Sequence, residues 1–324
     1  MWCNATSGCT PSTACEIVTM ALDPTARFIL AALQKQGVKS FEQLSVAEAR
    51  AVVDTFPQLQ NTPQDVRSVE DLDLNSVPLR VYTPDNANGS AILYTHGGGW
   101  VGGHLGVCDE PARAMANETG AVVVATSYRL APEARFPAQT DDVYAALEWL
   151  RANAERLGVD PQRIAVVGDS AGGNLAAVLA LDSRDGGLAL AFQLLIYPAI
   201  DLGSLDTESY RQCASGFGLT RADVAWFLEQ YFGADDASRH DWRASPLRAP
   251  DLRDLPPALV MTAEFDVLRS EGEDYAVALE AAGNAVTLRR YDGATHGFMS
   301  MAGLFELGRQ GRRDAAAALK AALG

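Results

Sequence analysis

Apolar and polar positions change period several times along the chain. After Asp23-Pro24, Phe28, Leu30, Leu33 and Val38 stand among the apolar positions of a helical pattern that Gly37 can stop. A second helix is predicted from about Val46 to Thr55, followed by a loop marked by Pro57, Asn61 and Pro63. From Asp65 the period falls to two: Val66, Ser68 and Glu70 alternate in one strand, and Val77–Tyr82 form another. Beyond the turn signals Pro84-Asp85-Asn86 and Asn88-Gly89, short and nearly continuous apolar runs alternate with helical patterns. The runs are 91–95, 121–125, 164–167, 188–197, 258–262 and 285–291; the helices are 141–156, 170–180, 271–282 and 310–323. Continuous apolar strands separated by helices predict a mostly parallel sheet covered on both faces.

Residues 201–245 break this rhythm. They hold no convincing strand, and Thr220 can cap a helix through Ala225, Trp226, Phe227, Leu228 and Tyr231. We read them as an inserted part of a helical lid over the strand ends, joined by an N-terminal part at 20–60. Residues 61–200 and 246–324 then form the α/β core, and 1–19 a loose tail. The different character of that tail marks Met20 as a candidate natural start.

The net charge of −15 disfavours contact with phosphate backbones and anionic lipid surfaces, so nucleic-acid binding and electrostatic membrane docking are set aside. Cys3, Cys9, Cys15, Cys108 and Cys213 are odd in number and widely spaced, with no zinc pattern. They read as free thiols in a reducing compartment, and with no signal-peptide pattern at the N-terminus the expected location is cytoplasmic.

Gly168-Asp169-Ser170-Ala171-Gly172 matches G-x-S-x-G between a buried strand and an apolar helix. That setting makes a nucleophile elbow, whose glycines admit a sharp, strained turn at the serine. His96-Gly97-Gly98-Gly99 follows another buried strand. Its backbone N–H groups, with that of Ala171, suit an oxyanion hole; Gly98 and Gly99 are the preferred donors and Gly97 the fallback. His96 itself is expected to order this loop by hydrogen bonding. The base follows by elimination among four histidines: His96 and His104 belong to the glycine loop, His240 lies in the lid, and His296 remains, in a glycine-bounded loop after the last strand. An orienting acid should follow the strand before it, where Asp266 and Glu264 are rivals; Asp292 reads as a turn former.

Five stretches in order carry a family resemblance: His96–Trp100, Tyr128–Glu133, Gly168–Gly173, Asp266–Arg269 and His296–Phe298. Over about residues 24–324 the chain resembles the hormone-sensitive lipase family of bacterial esterases. Its one departure is Val267, where the acid motif often has Pro. The resemblance implies an α/β-hydrolase fold, with a mostly parallel eight-stranded sheet, helices on both faces and a helical cap. It favours Asp266 over Glu264, giving the triad Ser170, Asp266 and His296, and supports Gly98, Gly99 and Ala171 as oxyanion donors. It implies no metal or organic cofactor, a small-molecule ester of short to medium acyl chain as substrate, and frequent homodimers. Trp100, Tyr197, Phe217, Trp226 and Phe227 are candidate pocket residues, against ordinary core packing. A hydrolase of amides or lactones is the close alternative, and a non-catalytic receptor the distant one.

Overall fold

A computed structural model describes residues 22–324. The expected tail at 1–19, the start at Met20 and Cys3, Cys9 and Cys15 lie outside the described residues.

Two helices precede the sheet. Helix α1 (Pro24–Lys35) begins where the Asp23 carboxylate accepts the Thr25 N–H at 2.7 Å, with proline in the first turn, where its missing N–H costs nothing. Helix α2 (Val46–Val53) starts with a reciprocal capping box between Ser45 and Glu48.

The sheet has eight strands: β1 (Ser68–Leu74), β2 (Val77–Thr83), β3 (Ala91–Thr95), β4 (Val122–Thr126), β5 (Ile164–Asp169), β6 (Phe192–Ile196), β7 (Ala258–Phe265) and β8 (Val286–Thr295). Their spatial order is β1-β2-β4-β3-β5-β6-β7-β8. The β1–β2 and β2–β4 pairs are antiparallel and all the others parallel. Strands β3, β4 and β6 are buried along their whole length, which explains their unbroken apolar sequences.

Among the described residues the longer helices of the connections are α3 (Asp109–Thr119), α4 (Ala138–Ala152), α5 (Ala171–Asp185), α6 (Arg221–Phe232), α7 (Arg269–Ala281) and α8 (Glu306–Leu323), with short helical turns at Ala154–Leu157 and Glu208–Gln212. Helices α4, α5 and α7 cover one face of the sheet; α3 and α8 pack together on the other. Among the described residues, no helix is long and apolar enough to cross a membrane.

Three elements depart from the sequence reading. Helix α3 is unanticipated: its buried side holds three alanines and Met115 beside the polar Glu110 and Thr119, too weakly apolar to stand out as a stripe. Strand β6 is shorter than 188–197, because Leu188 turns back to close the end of α5 through its N–H to Ser183 O at 2.7 Å. The reading of 292–298 as a loop is corrected for its first four residues, since β8 continues through Asp292 and Gly293 to Thr295. A register shift opposite Ala263–Phe265 and a positive φ of 80° at Gly293 absorb the irregularity without ending the strand.

The segment between β6 and β7 contains α6, capped as anticipated by a reciprocal pair of Thr220 and Asp223. It meets the N-terminal helical region directly. The Glu42 N–H donates to Asp223 Oδ1 at 3.0 Å, and the Phe41 and Phe227 rings lie 5.0 Å apart.

The turn from β5 into α5 is packed to contact. A Cβ on Gly172 would stand 2.1 Å from Thr95 O, and one on Gly168 would stand 2.1 Å from Gly172 O. Neither position admits a side chain, so the helix lies directly on the edge of the sheet. Gly172→Ala is therefore expected to lower unfolding stability by about 1–3 kcal/mol. Equilibrium urea unfolding measures this, and an unchanged midpoint contradicts the packing described.

Candidate active site

Strand β5 delivers Ser170 to the C-terminal edge of the sheet. Its backbone sits at φ 56°, ψ −120°, a conformation that costs a non-glycine residue on the order of 1–3 kcal/mol. Hydrogen bonds over-determine it: the Ser170 N–H donates to Ile196 O at 2.8 Å, and its carbonyl accepts from Asn174 at 3.1 Å and Ala199 at 3.3 Å. The next residue opens α5, so the side chain stands beside the free N–H groups of a helix start.

Strands β7 and β8 are parallel to β5, so their ends reach the same rim. Asp266 follows β7 and is 1% exposed. One of its oxygens accepts the Leu268 N–H at 3.0 Å, and the other lies 2.7 Å from His296 Nδ1. His296 follows β8, and its Nε2 lies 3.0 Å from Ser170 Oγ. A proton on Nδ1 satisfies Asp266 and leaves Nε2 as the acceptor for the serine hydroxyl.

The rival groups are engaged elsewhere. The Glu264 carboxylate accepts the Gly293 N–H at 2.7 Å and thereby braces β8. Asp292 is exposed and pairs with Arg290 at 3.2 Å. His104 pairs with Asp54 at 3.3 Å, and His240 is exposed.

The glycine loop lies against Ser170. A Cβ on Gly97 would come within 3.2 Å of Ser170 Cβ, and within 2.6 Å of the Asp169 carboxylate. The Gly97 N–H already donates to Asp169 Oδ1 at 3.1 Å, which removes it from use as a fallback donor. No acceptor among the described residues takes the N–H of Gly98, Gly99 or Ala171. Asp169 Oδ1 also accepts the Tyr94 hydroxyl at 3.1 Å, and desolvation pushes its carboxyl above the usual range. Sequence reasoning passes over Asp169 and Tyr94; the only available signal is that Asp169 stands inside the elbow motif.

His96 is buried, and desolvation lowers its pKa to about 4, so the imidazole is neutral. It lies 2.7 Å from Gly97 O through Nδ1 and stacks on Tyr128, whose hydroxyl donates to His96 O at 2.9 Å.

The aromatic residues fall into two groups. Tyr197, with φ 35°, places its ring 4.8 Å from the His296 ring, and Phe227 lies so close to Gly99 that a Cβ there would stand 2.3 Å from its ring. Trp226 meets Phe227 edge-on. Trp100 stacks on Tyr231 at 4.5 Å and Phe217 on Phe265 at 5.1 Å, both packing against other aromatic rings. Among the described residues no group of three or more His, Cys, Asp or Glu could hold a metal ion.

Comparison with known proteins places the fold and the family. A family model described as alpha/beta hydrolase fold matches residues 92–300. The chain is 40% identical over 303 residues to the carboxylic ester hydrolase LipN of Mycobacterium tuberculosis, covering 89% of this chain and 78% of that one. It is 41% identical over 245 residues to an ethyl acetate hydrolase of Pseudomonas putida, covering 74% and 76%. The structure of a hyperthermophilic esterase from the archaeon Pyrobaculum calidifontis superposes with a TM-score of 0.87 at 40% identity, covering 93% of this chain and 99% of that one. On the matched family model and these relatives, the chain belongs to the alpha/beta hydrolases, in the branch of esterases that resemble hormone-sensitive lipase.

Proposed function

We propose that this protein is a serine carboxylic ester hydrolase in which Ser170 is the nucleophile, His296 the general base and Asp266 the residue that orients it. The observation that carries the reading is the unbroken line from Ser170 Oγ to His296 Nε2 at 3.0 Å and from His296 Nδ1 to Asp266 at 2.7 Å. As Oγ attacks the ester carbonyl, its proton passes to Nε2 and the carbonyl π electrons move onto oxygen. The buried Asp266 carboxylate stabilises the imidazolium that results. Backbone N–H groups of Gly98, Gly99 and Ala171 receive the oxyanion, in keeping with their lack of a protein acceptor. Collapse expels the alcohol, which takes the proton from Nε2 and leaves an acyl-serine. Water, deprotonated by His296, attacks that ester; the second intermediate collapses by breaking the acyl–Oγ bond, Nε2 returns the proton to Ser170 Oγ, and the acid leaves.

The helical segments within 22–60 and 201–245 act as a cap over this rim. Their contact through Glu42, Asp223, Phe41 and Phe227 supports treating them as one unit. Tyr197, beside His296, and Phe227, beside Gly99, are read as pocket walls, with Trp226 backing Phe227. Phe227, which lies against Gly99, is read as limiting the acyl group to short or medium chains. We read the enzyme as cytoplasmic, consistent with the buried free thiols of Cys108 and Cys213. We also read it as a dimer, for which the edge strand β8, with Leu288 exposed, is available.

Two outcomes are expected. Ser170→Ala should lower kcat on p-nitrophenyl butyrate by roughly 10⁴-fold or more while leaving the urea midpoint in place; full activity in this variant excludes Ser170 as nucleophile. Across p-nitrophenyl esters, kcat/KM should peak between acetate and octanoate and fall for longer chains. The matching p-nitroanilides should react more slowly, and faster anilide turnover would assign the enzyme to amides instead.

A further inference from the structure

We propose that Arg50, on a helix preceding the sheet, is a positioning residue for the acyl-transfer step, because it clamps the turn that presents the oxyanion glycines. The proposal rests on the esterase reading above and adds to it a residue outside every recognised motif.

The turn is closed on itself. The N–H groups of Val101 and Gly102 donate to Gly98 O at 3.2 and 3.0 Å. Three residues further on, Val101 O accepts Arg50 Nε at 2.8 Å. The same guanidinium donates through Nη2 to Ala131 O at 3.0 Å and grips both oxygens of Glu133 at 2.9 and 2.5 Å. Ala131 in turn donates its N–H to Trp100 O at 2.9 Å. One planar fork therefore joins the glycine turn to residues 131–133. Backbone contact reinforces it: a Cβ on Gly102 would stand 3.2 Å from Val53 and 3.7 Å from Arg50 Cα, so α2 rests on the back of the turn. One residue past α2, Asp54 pairs with His104 at 3.3 Å, just beyond the same turn.

Only arginine supplies this arrangement. The fork offers donors in fixed directions to two carbonyls and one carboxylate together, whereas a lysine ammonium on a flexible stem cannot reach all three. The negative charge that Gly98 and Gly99 are to receive develops only in the transition state. Loosening their turn should therefore slow the chemical step and leave ground-state binding nearly intact.

The test compares wild type, Arg50→Met, Arg50→Lys and Glu133→Gln. It uses kcat and KM on p-nitrophenyl butyrate, and the inhibition constant of an alkyl trifluoromethyl ketone, whose serine adduct carries an oxyanion. Arg50→Met should lower kcat by about 10- to 100-fold with KM changed by less than about threefold, and should weaken the ketone by a factor close to the loss in kcat. Arg50→Lys should recover only part of that loss. Glu133→Gln, which keeps the Arg50 contacts to both carbonyls, should lose less than Arg50→Met. Circular dichroism and urea midpoints verify folding, and if Arg50→Met does not fold, Arg50→Lys carries the same readout. An unchanged kcat with a raised KM, or a reduced kcat with undiminished ketone affinity, overturns the proposal. A wild-type protein inert toward esters sinks the functional reading and this proposal with it. An active wild type matched by Arg50→Met sinks this proposal alone.

Discussion

The site depends on a backbone conformation that Ser170 would not adopt unaided. At φ 56° its Cβ is crowded, and the strain persists only because the surroundings leave no alternative. Gly168 and Gly172 allow α5 to lie on the end of β3 at a distance where any Cβ would collide. Thr95 Oγ1 ties the layers together, 3.1 Å from Val167 O and 2.8 Å from Gly172 O. The gain from this strain is placement. The hydroxyl stands clear of the sheet at the start of a helix, in reach of groups on neighbouring strands.

Parallel pairing then does the assembly. Strands β5, β7 and β8 run the same way, so the residues that follow them meet on one rim although they are far apart in the chain. Around them the structure spends its polar groups on rigidity. Asp169 fixes Gly97 from beneath, a neutral His96 fixes the same residue's carbonyl, and Glu264 fixes Gly293 before His296. Each of these bonds settles a main-chain direction next to Ser170 or His296. The large negative net charge plays no visible part in this local order.

Much of this was legible in the sequence because burial leaves a strong mark. Strands covered on both faces read as short apolar runs, and the glycines of the elbow and the loop after β3 stand where no side chain fits. What escaped had weak or ambiguous chemistry. Helix α3 buries alanines and polar residues with Met115 as its one large apolar side chain, so its pattern is faint. Asp292-Gly293 reads as a turn, yet β8 passes through it on the strength of a register shift. Glu264 and Asp266 lie two residues apart at the end of one strand, and spacing alone does not rank them; both accept a backbone N–H, and the difference is that the second oxygen of Asp266 reaches His296 Nδ1. Arg50 gave no signal, because the carbonyls it holds lie 51 and 81 residues away and carry no side-chain signature.

The most direct test of the account is covalent capture of the serine. A fluorophosphonate incubated with the protein, followed by peptide mass spectrometry, should leave one adduct on Ser170. The reaction should slow sharply in His296→Ala, since the base that activates the hydroxyl is gone. A protein that hydrolyses esters yet carries its adduct elsewhere, or labels equally fast without the imidazole, would contradict the central claim.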